Sequence, residues 1–253
     1  MEVTTQFYPG HGGAQLALHR LGQGRPLILL HGLFSTAEMN WIKWGHAALL
    51  AEAGFECLMP DLRAHGQSAA PHDAAAYPAD VLALDLVALI AHLGLTDFDL
   101  CGFSLGSRTS VRAVVGCGVK PRRLVLGGMG LQGLAGWTGR QAFFTDAIDR
   151  FETVKHGDPA YFAVQFMKGM KVDRVAVRHL LGTFADTPPD ALAAITMPTG
   201  VVCGDEDRDN GDPVGLTEAL PDATHIVIPG THMSCVTKPD LGRAIRDFLR
   251  GEA

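Results

Sequence analysis

The chain has 253 residues, of which 47% are hydrophobic and 19% charged, with a formal net charge of −6. This mix suits a large packed globular chain, excludes a disordered one, and offers nucleic acid no basic surface. No apolar run approaches the roughly 18 residues needed to cross a membrane, and Met1–Thr5 lack a basic stretch leading into an apolar one, so neither a spanning helix nor a signal peptide is expected.

In chain order, residues Thr5 to Arg20 read as an opening β-hairpin around Gly10-His11-Gly12-Gly13. Pro26 to Leu30 is a buried strand, and His31-Gly32-Leu33-Phe34-Ser35 follows it. Ala37 to Ala53 has helical periodicity and stops at Gly54. Phe55 to Met59 is a strand that runs into the polar loop Pro60 to Ser68. Asp80 to Leu93 is an amphipathic helix ended by Gly94. Phe98 to Cys101 is a strand, a helix reaches about Val115, and Arg123 to Leu126 is a strand.

Alternating strands and helices imply βαβ units and a parallel sheet with right-handed crossovers. The rhythm breaks at Gly127. From Leu131 to Pro189 no buried strand appears, only helical stretches near Arg140–Phe151, Pro159–Met170 and Asp173–Phe184. Residues 131–189 therefore read as a small helical cap inserted into a core of residues 1–130 and 190–253. After the cap come a short helix at Ala191–Ile195, a strand at Gly200–Cys203, a helix at Asp212–Leu220, a strand at His225–Ile228 and a closing helix at Leu241–Leu249.

Cys57, Cys101, Cys117, Cys203 and Cys235 are odd in number and form no Cys-x-x-Cys pair. Buried reduced thiols and a cytoplasmic location are expected, with no metal site.

Gly102-Phe103-Ser104-Leu105-Gly106 places a serine between an apolar strand and a helix. A tight turn there holds the serine in a strained conformation with its hydroxyl outward. A Cβ at either glycine would strike the neighbouring strand or helix. The helix N-terminus offers N–H groups to a developing oxyanion. A serine nucleophile needs a base and a carboxylate to orient it, and open parallel sheets gather such groups at the carboxyl ends of strands. His232 follows the last strand through Pro229-Gly230-Thr231. The loop after Cys203 carries Asp205, Glu206, Asp207, Asp209 and Asp212, a cluster that reads equally as a solvated acidic turn. With Asp207 as the acid, the order is Ser104, Asp207, His232.

Four stretches together resemble the α/β-hydrolase fold superfamily over essentially the whole chain. They are His31 to Phe34, Asp61 to Ser68 (similar to Asp-x-Arg-Gly-His-Gly-x-Ser, with Ala64 for the usual glycine), Gly102 to Gly106, and Gly204–Asp207 paired with Gly230–His232. The resemblance implies a mostly parallel eight-stranded sheet with a small helical cap, and a Ser-His-Asp carboxylesterase-like activity. It implies Ser104 as nucleophile, His232 as base and Asp207, third after Gly204, as acid. It also implies an oxyanion hole made by the N–H groups of Leu33 and Leu105. No acid follows the Arg123–Leu126 strand, so the alternative acid position of some members is empty. His31 and His65 are expected to hydrogen-bond backbone.

Gly128-Met129-Gly130-Leu131-Gln132-Gly133 spells a dinucleotide fingerprint, but Gly136 and Gly139 follow too closely for a sheet-packed helix and Asp149 lies in a helical pattern. These glycines read as the cap's entry. Phe34, Met129, Trp137 and Phe144 are candidate pocket residues, with Leu131, Phe143, Phe162 and Phe166 as further apolar candidates. No cluster of Arg or Lys marks a charged pocket. The expected substrate is a small to medium, mostly apolar ester, without cofactor; lactone hydrolysis, C–C bond hydrolysis, perhydrolysis and a non-catalytic ligand-binding role share these residues. No nucleic-acid or membrane partner is expected, and homo-oligomerisation is left open.

Overall fold

The computed structural model describes residues 1–251. In chain order the strands are β1 (Thr4–Pro9), β2 (Gln15–Gly22), β3 (Arg25–Leu30), β4 (Phe55–Pro60), β5 (Asp99–Phe103), β6 (Leu124–Gly127), β7 (Thr199–Gly204) and β8 (Ala223–Ile228). They form one eight-stranded sheet in the order β1-β2-β4-β3-β5-β6-β7-β8. The β1–β2 and β2–β4 pairs are antiparallel and all others parallel. This is the expected mostly parallel sheet behind an opening hairpin, and it puts β5 between β3 and β6 in the middle.

The period-two pattern of the strands sorts the core into two layers. Ile28, Leu30, Leu58, Leu100, Leu124, Leu126 and Val201 face one side, where α2 (Val81–Leu93) and α3 (Leu105–Cys117) pack. Leu27, Leu29, Cys57, Met59, Cys101, Val125 and Val202 face the other, covered by α1 (His46–Glu52) and α10 (Pro239–Arg250). The helix expected over Ala37–Ala53 is interrupted. A π-helical turn covers Glu38–Ile42, and Gly45 at φ 81° lets the chain turn before α1 starts.

Between β6 and β7 lie α4 (Leu131–Ala135), α5 (Trp137–Asp149), α6 (Tyr161–Gly169) and α7 (Arg174–Leu181). Their buried side chains, among them Leu134, Ala147, Val164 and Leu180, belong to the same hydrophobic cluster as the sheet's α3 face. Arg108 on α3 fastens this segment. Its buried guanidinium donates to the carbonyls of Gly133 (2.5 Å), Leu134 (3.2 Å) and Ala185 (2.7 Å) and to Asp186 (3.0 Å), gripping both ends of the segment. The short helix expected at Ala191–Ile195 is a 3-10 turn over Pro189–Ala194. Helix α8 (Pro213–Ala219) follows β7, and α9 (His232–Cys235) follows β8. All five cysteines are free; four are buried, but Cys117 is exposed at the end of α3. Among the described residues no helix is long and apolar enough to cross a membrane.

Candidate active site

Ser104 sits where β5 ends and α3 begins, at φ 53° and ψ −108°. A non-glycine residue at such angles is strained and persists only where its surroundings fix it. Here they do. Its N–H donates to Gly127 O at 2.8 Å. A Cβ on Gly102 would overlap the Gly106 backbone, and one on Gly106 would overlap the Leu30 backbone. The two glycines thus let α3 press against β5 and β3, and the turn has no slack. Ser107, where glycine is common in the resembled family, is fully buried. Its hydroxyl lies 2.8 Å from both the Gly102 and the Gly127 carbonyls, bridging β5 and β6 beside the elbow.

His232 opens α9, where Thr231 forms a capping box with Ser234. Its Nδ1 lies 2.8 Å from Asp207 Oδ2, with both side chains buried. With the ring proton on Nδ1 the imidazole donates to the carboxylate, which leaves Nε2 as the basic nitrogen. The ring packs against Phe103, centroid to centroid 5.0 Å, and Phe103 is the residue before Ser104. A Cβ on Gly128 would touch His232 Cε1 and the Phe103 ring, so only glycine fits the wall behind the pair. Among the described residues no hydrogen bond joins the Ser104 hydroxyl to the imidazole. Catalytic hydrogen bonds are often long before substrate binds.

The acidic loop divides its work. Burial pushes the Asp207 carboxyl up, but the hydrogen bond to His232, that ring's charge, the Asp209 N–H and Arg140 outweigh it and hold the group below its ordinary range. Asp205 instead accepts the Gly230 N–H at 2.7 Å and so braces the loop that carries His232. The two loops also meet through Asp205 N–H to Ile228 O and Glu206 N–H to Gly230 O. A Cβ on Gly204 would overlap the Gly230 carbonyl. This bracing role for Asp205 was hidden in the sequence, where it looked like one more carboxylate of a polar turn.

Leu33 follows β3 and Leu105 opens α3. Neither N–H is taken by a hydrogen bond among the described residues. The neighbouring turn is held by others. Asn40 accepts the Gly32 N–H at 3.0 Å, and His65 Nε2 accepts the Phe34 N–H at 3.0 Å. Phe34 itself lies at φ 61°. His31 and His65 bond backbone on both nitrogens, as expected. His31 reaches Gly32 O (2.8 Å) and Leu62 N–H (2.9 Å), and His65 also reaches Arg63 O (2.9 Å). Burial lowers both imidazole pKa values, His65 to about 3 with the neighbouring His31 adding to the effect. Ala64, in place of the usual glycine, adopts φ 66°, the region glycine enters without strain.

The apolar candidates divide. Phe144 packs on Phe34 at 5.4 Å and on Trp137 at 6.2 Å, which joins the turn after β3 to the cap. Met129 is buried in the same hydrophobic cluster. Phe162 is 79% exposed and Phe143 39%, so these two turn outward from the cap rather than line its inside. Gly133 of the apparent dinucleotide fingerprint packs on Met129 and Asn210, and the helix it lies in has only five residues, too few to build a phosphate-binding helix end.

Residues 25–115 match the family model of the α/β hydrolase fold. Over 105 residues the chain is 36% identical to N-formylmaleamate deformylase of Pseudomonas putida, a match covering 42% of this chain and 37% of that protein. Over 232 residues it is 27% identical to the non-heme haloperoxidase of Rhodococcus erythropolis, covering 80% and 82% of the two. The matched stretches span well under half the length of the first curated relatives, from 16% to 37%. Among solved structures, a thermophilic esterase from Thermogutta terrifontis superposes with a TM-score of 0.78 at 22% identity, covering 98% of this chain and 99% of the esterase.

Proposed function

We propose that this chain, which has the α/β-hydrolase fold, is a serine hydrolase cleaving small to medium, mostly apolar carboxylic esters through an acyl-enzyme. The observation that carries the reading is the buried Asp207–His232 hydrogen bond, held against Phe103 beside the strained Ser104 turn.

Ser104 Oγ attacks the ester carbonyl carbon, and its proton passes to His232 Nε2. Asp207 stays ionised, fixes the tautomer and stabilises the imidazolium. The carbonyl oxygen becomes an oxyanion that accepts from the Leu33 and Leu105 N–H groups, each such donor contributing about 3 kcal/mol. The bond to the leaving oxygen then breaks, and His232 returns the proton to the departing alcohol. A water repeats the sequence on the acyl-enzyme: its proton goes to His232, its oxygen to the acyl carbon, and Ser104 leaves with that proton. The free cysteines support a reducing, cytoplasmic setting for this activity.

Pre-steady-state hydrolysis of 4-nitrophenyl acetate tests the reading. A burst of 4-nitrophenol followed by slower turnover is expected, with both lost in Ser104→Ala. Turnover that survives in Ser104→Ala would overturn it.

A further inference from the structure

Helix α5 puts Trp137, Arg140 and Phe144 at spacings of three and four, on one helix face. That face spans the candidate active site. Through Phe144 it reaches Phe34, the residue after Leu33. Through Arg140 it reaches the acidic loop, where the guanidinium donates to the Asp209 backbone carbonyl two residues past Asp207. Arg140 also lies over the Phe144 ring, 5.8 Å from its centroid. A cation is therefore held between the acid-side and oxyanion-side loops of one site.

Its bonding differs from that of the cap's other arginines, Arg150, Arg174 and Arg178, each of which pairs with a carboxylate. Arg20, Arg25, Arg63, Arg108, Arg112, Arg150, Arg174 and Arg178 each form an ion pair with a carboxylate. Arg140 is half-buried, and among the described residues its guanidinium forms no ion pair with a carboxylate. Burial disfavours its charge, and Asp209 and Asp207 favour it only through space. Its single hydrogen bond uses one of five N–H donors. A guanidinium with donors to spare, seated on an aromatic face, suits a planar carboxylate.

We propose that Arg140 is a specificity-determining residue that binds a carboxylate on the acyl part of the substrate, so that the preferred substrates are half-esters of dicarboxylic acids. The inference rests on the serine-hydrolase reading and amends it. The apolar wall of Phe34, Trp137 and Phe144 takes the carbon chain while Arg140, among the described residues the cap's one arginine without a carboxylate partner, takes its far end. The sequence offers no Arg–Lys cluster to announce this, because the recognition uses a single residue placed by the cap.

Monomethyl succinate and methyl butyrate differ chiefly in a carboxylate against a methyl group, and their hydrolysis is followed by proton release. The wild-type protein is expected to favour the half-ester in kcat/KM by at least about tenfold, a preference that shrinks with added salt. Arg140→Gln should bring the ratio of the two kcat/KM values to one or below, and Arg140→Lys should restore part of it. A plain strut between cap and acidic loop would lower both values together and leave the ratio unchanged, which would overturn the proposal. So would a wild-type preference for methyl butyrate. Binding of the same two esters to Ser104→Ala, with and without Arg140→Gln, separates the two readings. Should neither ester turn over, an Arg140-dependent preference in binding upholds the carboxylate site and sinks the hydrolase. Equal binding sinks the site.

Discussion

Asp205 and Asp207 stand two residues apart on one loop, yet only one of them touches the imidazole. Asp207 Oδ2 lies 2.8 Å from His232 Nδ1, whereas Asp205 holds the Gly230 backbone. A carboxylate on Nδ1 keeps the ring proton there and leaves Nε2 free to accept from serine. An amide in its place can present N–H to the ring and invert the tautomer. Asp207→Asn is therefore expected to cut kcat by about ten-thousandfold with little change in thermal stability. Asp205→Asn keeps an acceptor for Gly230 and loses only a charge-assisted hydrogen bond, an effect of about tenfold or less. Steady-state kinetics on both variants decides between the two acids; a larger loss in Asp205→Asn would reverse the assignment.

The loops at the strand ends are held by neutral histidines, which couples them to pH. His31 and His65 each use one nitrogen to accept a backbone N–H and the other to donate to a carbonyl. Protonation would set N–H against N–H. Their folded pKa values lie below the unfolded value of about 6.5, His65 at about 3. Between those values the unfolded chain binds the extra proton, so stability rises with pH, is fully present above about 6.5 and is lost as pH falls toward 3. Each histidine contributes a slope of at most about 1.4 kcal/mol per pH unit. Urea unfolding at pH 7, 6 and 5 should show this fall, and His65→Asn should flatten it. A slope unchanged in the variant would contradict the account. At this scale much was legible in the sequence. The elbow follows from two glycines around a serine after an apolar run, and the histidines from their positions just past strands. The break at Gly45 was not, because a glycine leaves helical periodicity intact while freeing the backbone to turn. Nor was the roof over the site, because which face of α5 turns inward is decided by packing against Phe34 and the Asp209 loop, contacts far apart in sequence.

Across the whole molecule the Ser104 turn, His232 and the cap are fastened to one central strand. β5 carries Ser104, its Phe103 supports His232, and α3 sends Arg108 into both ends of the cap. The cap shares its hydrophobic cluster with the sheet. On the proposed reading, Ser104 is the hydroxyl that His232 activates. Covalent labelling with a fluorophosphonate, followed by peptide mapping, tests that claim directly because it needs no turnover. The account predicts one label per chain, on Ser104, absent in Ser104→Ala and at least about a hundredfold slower in His232→Gln. A chain that stays unlabelled, or a label on any other residue, would contradict it.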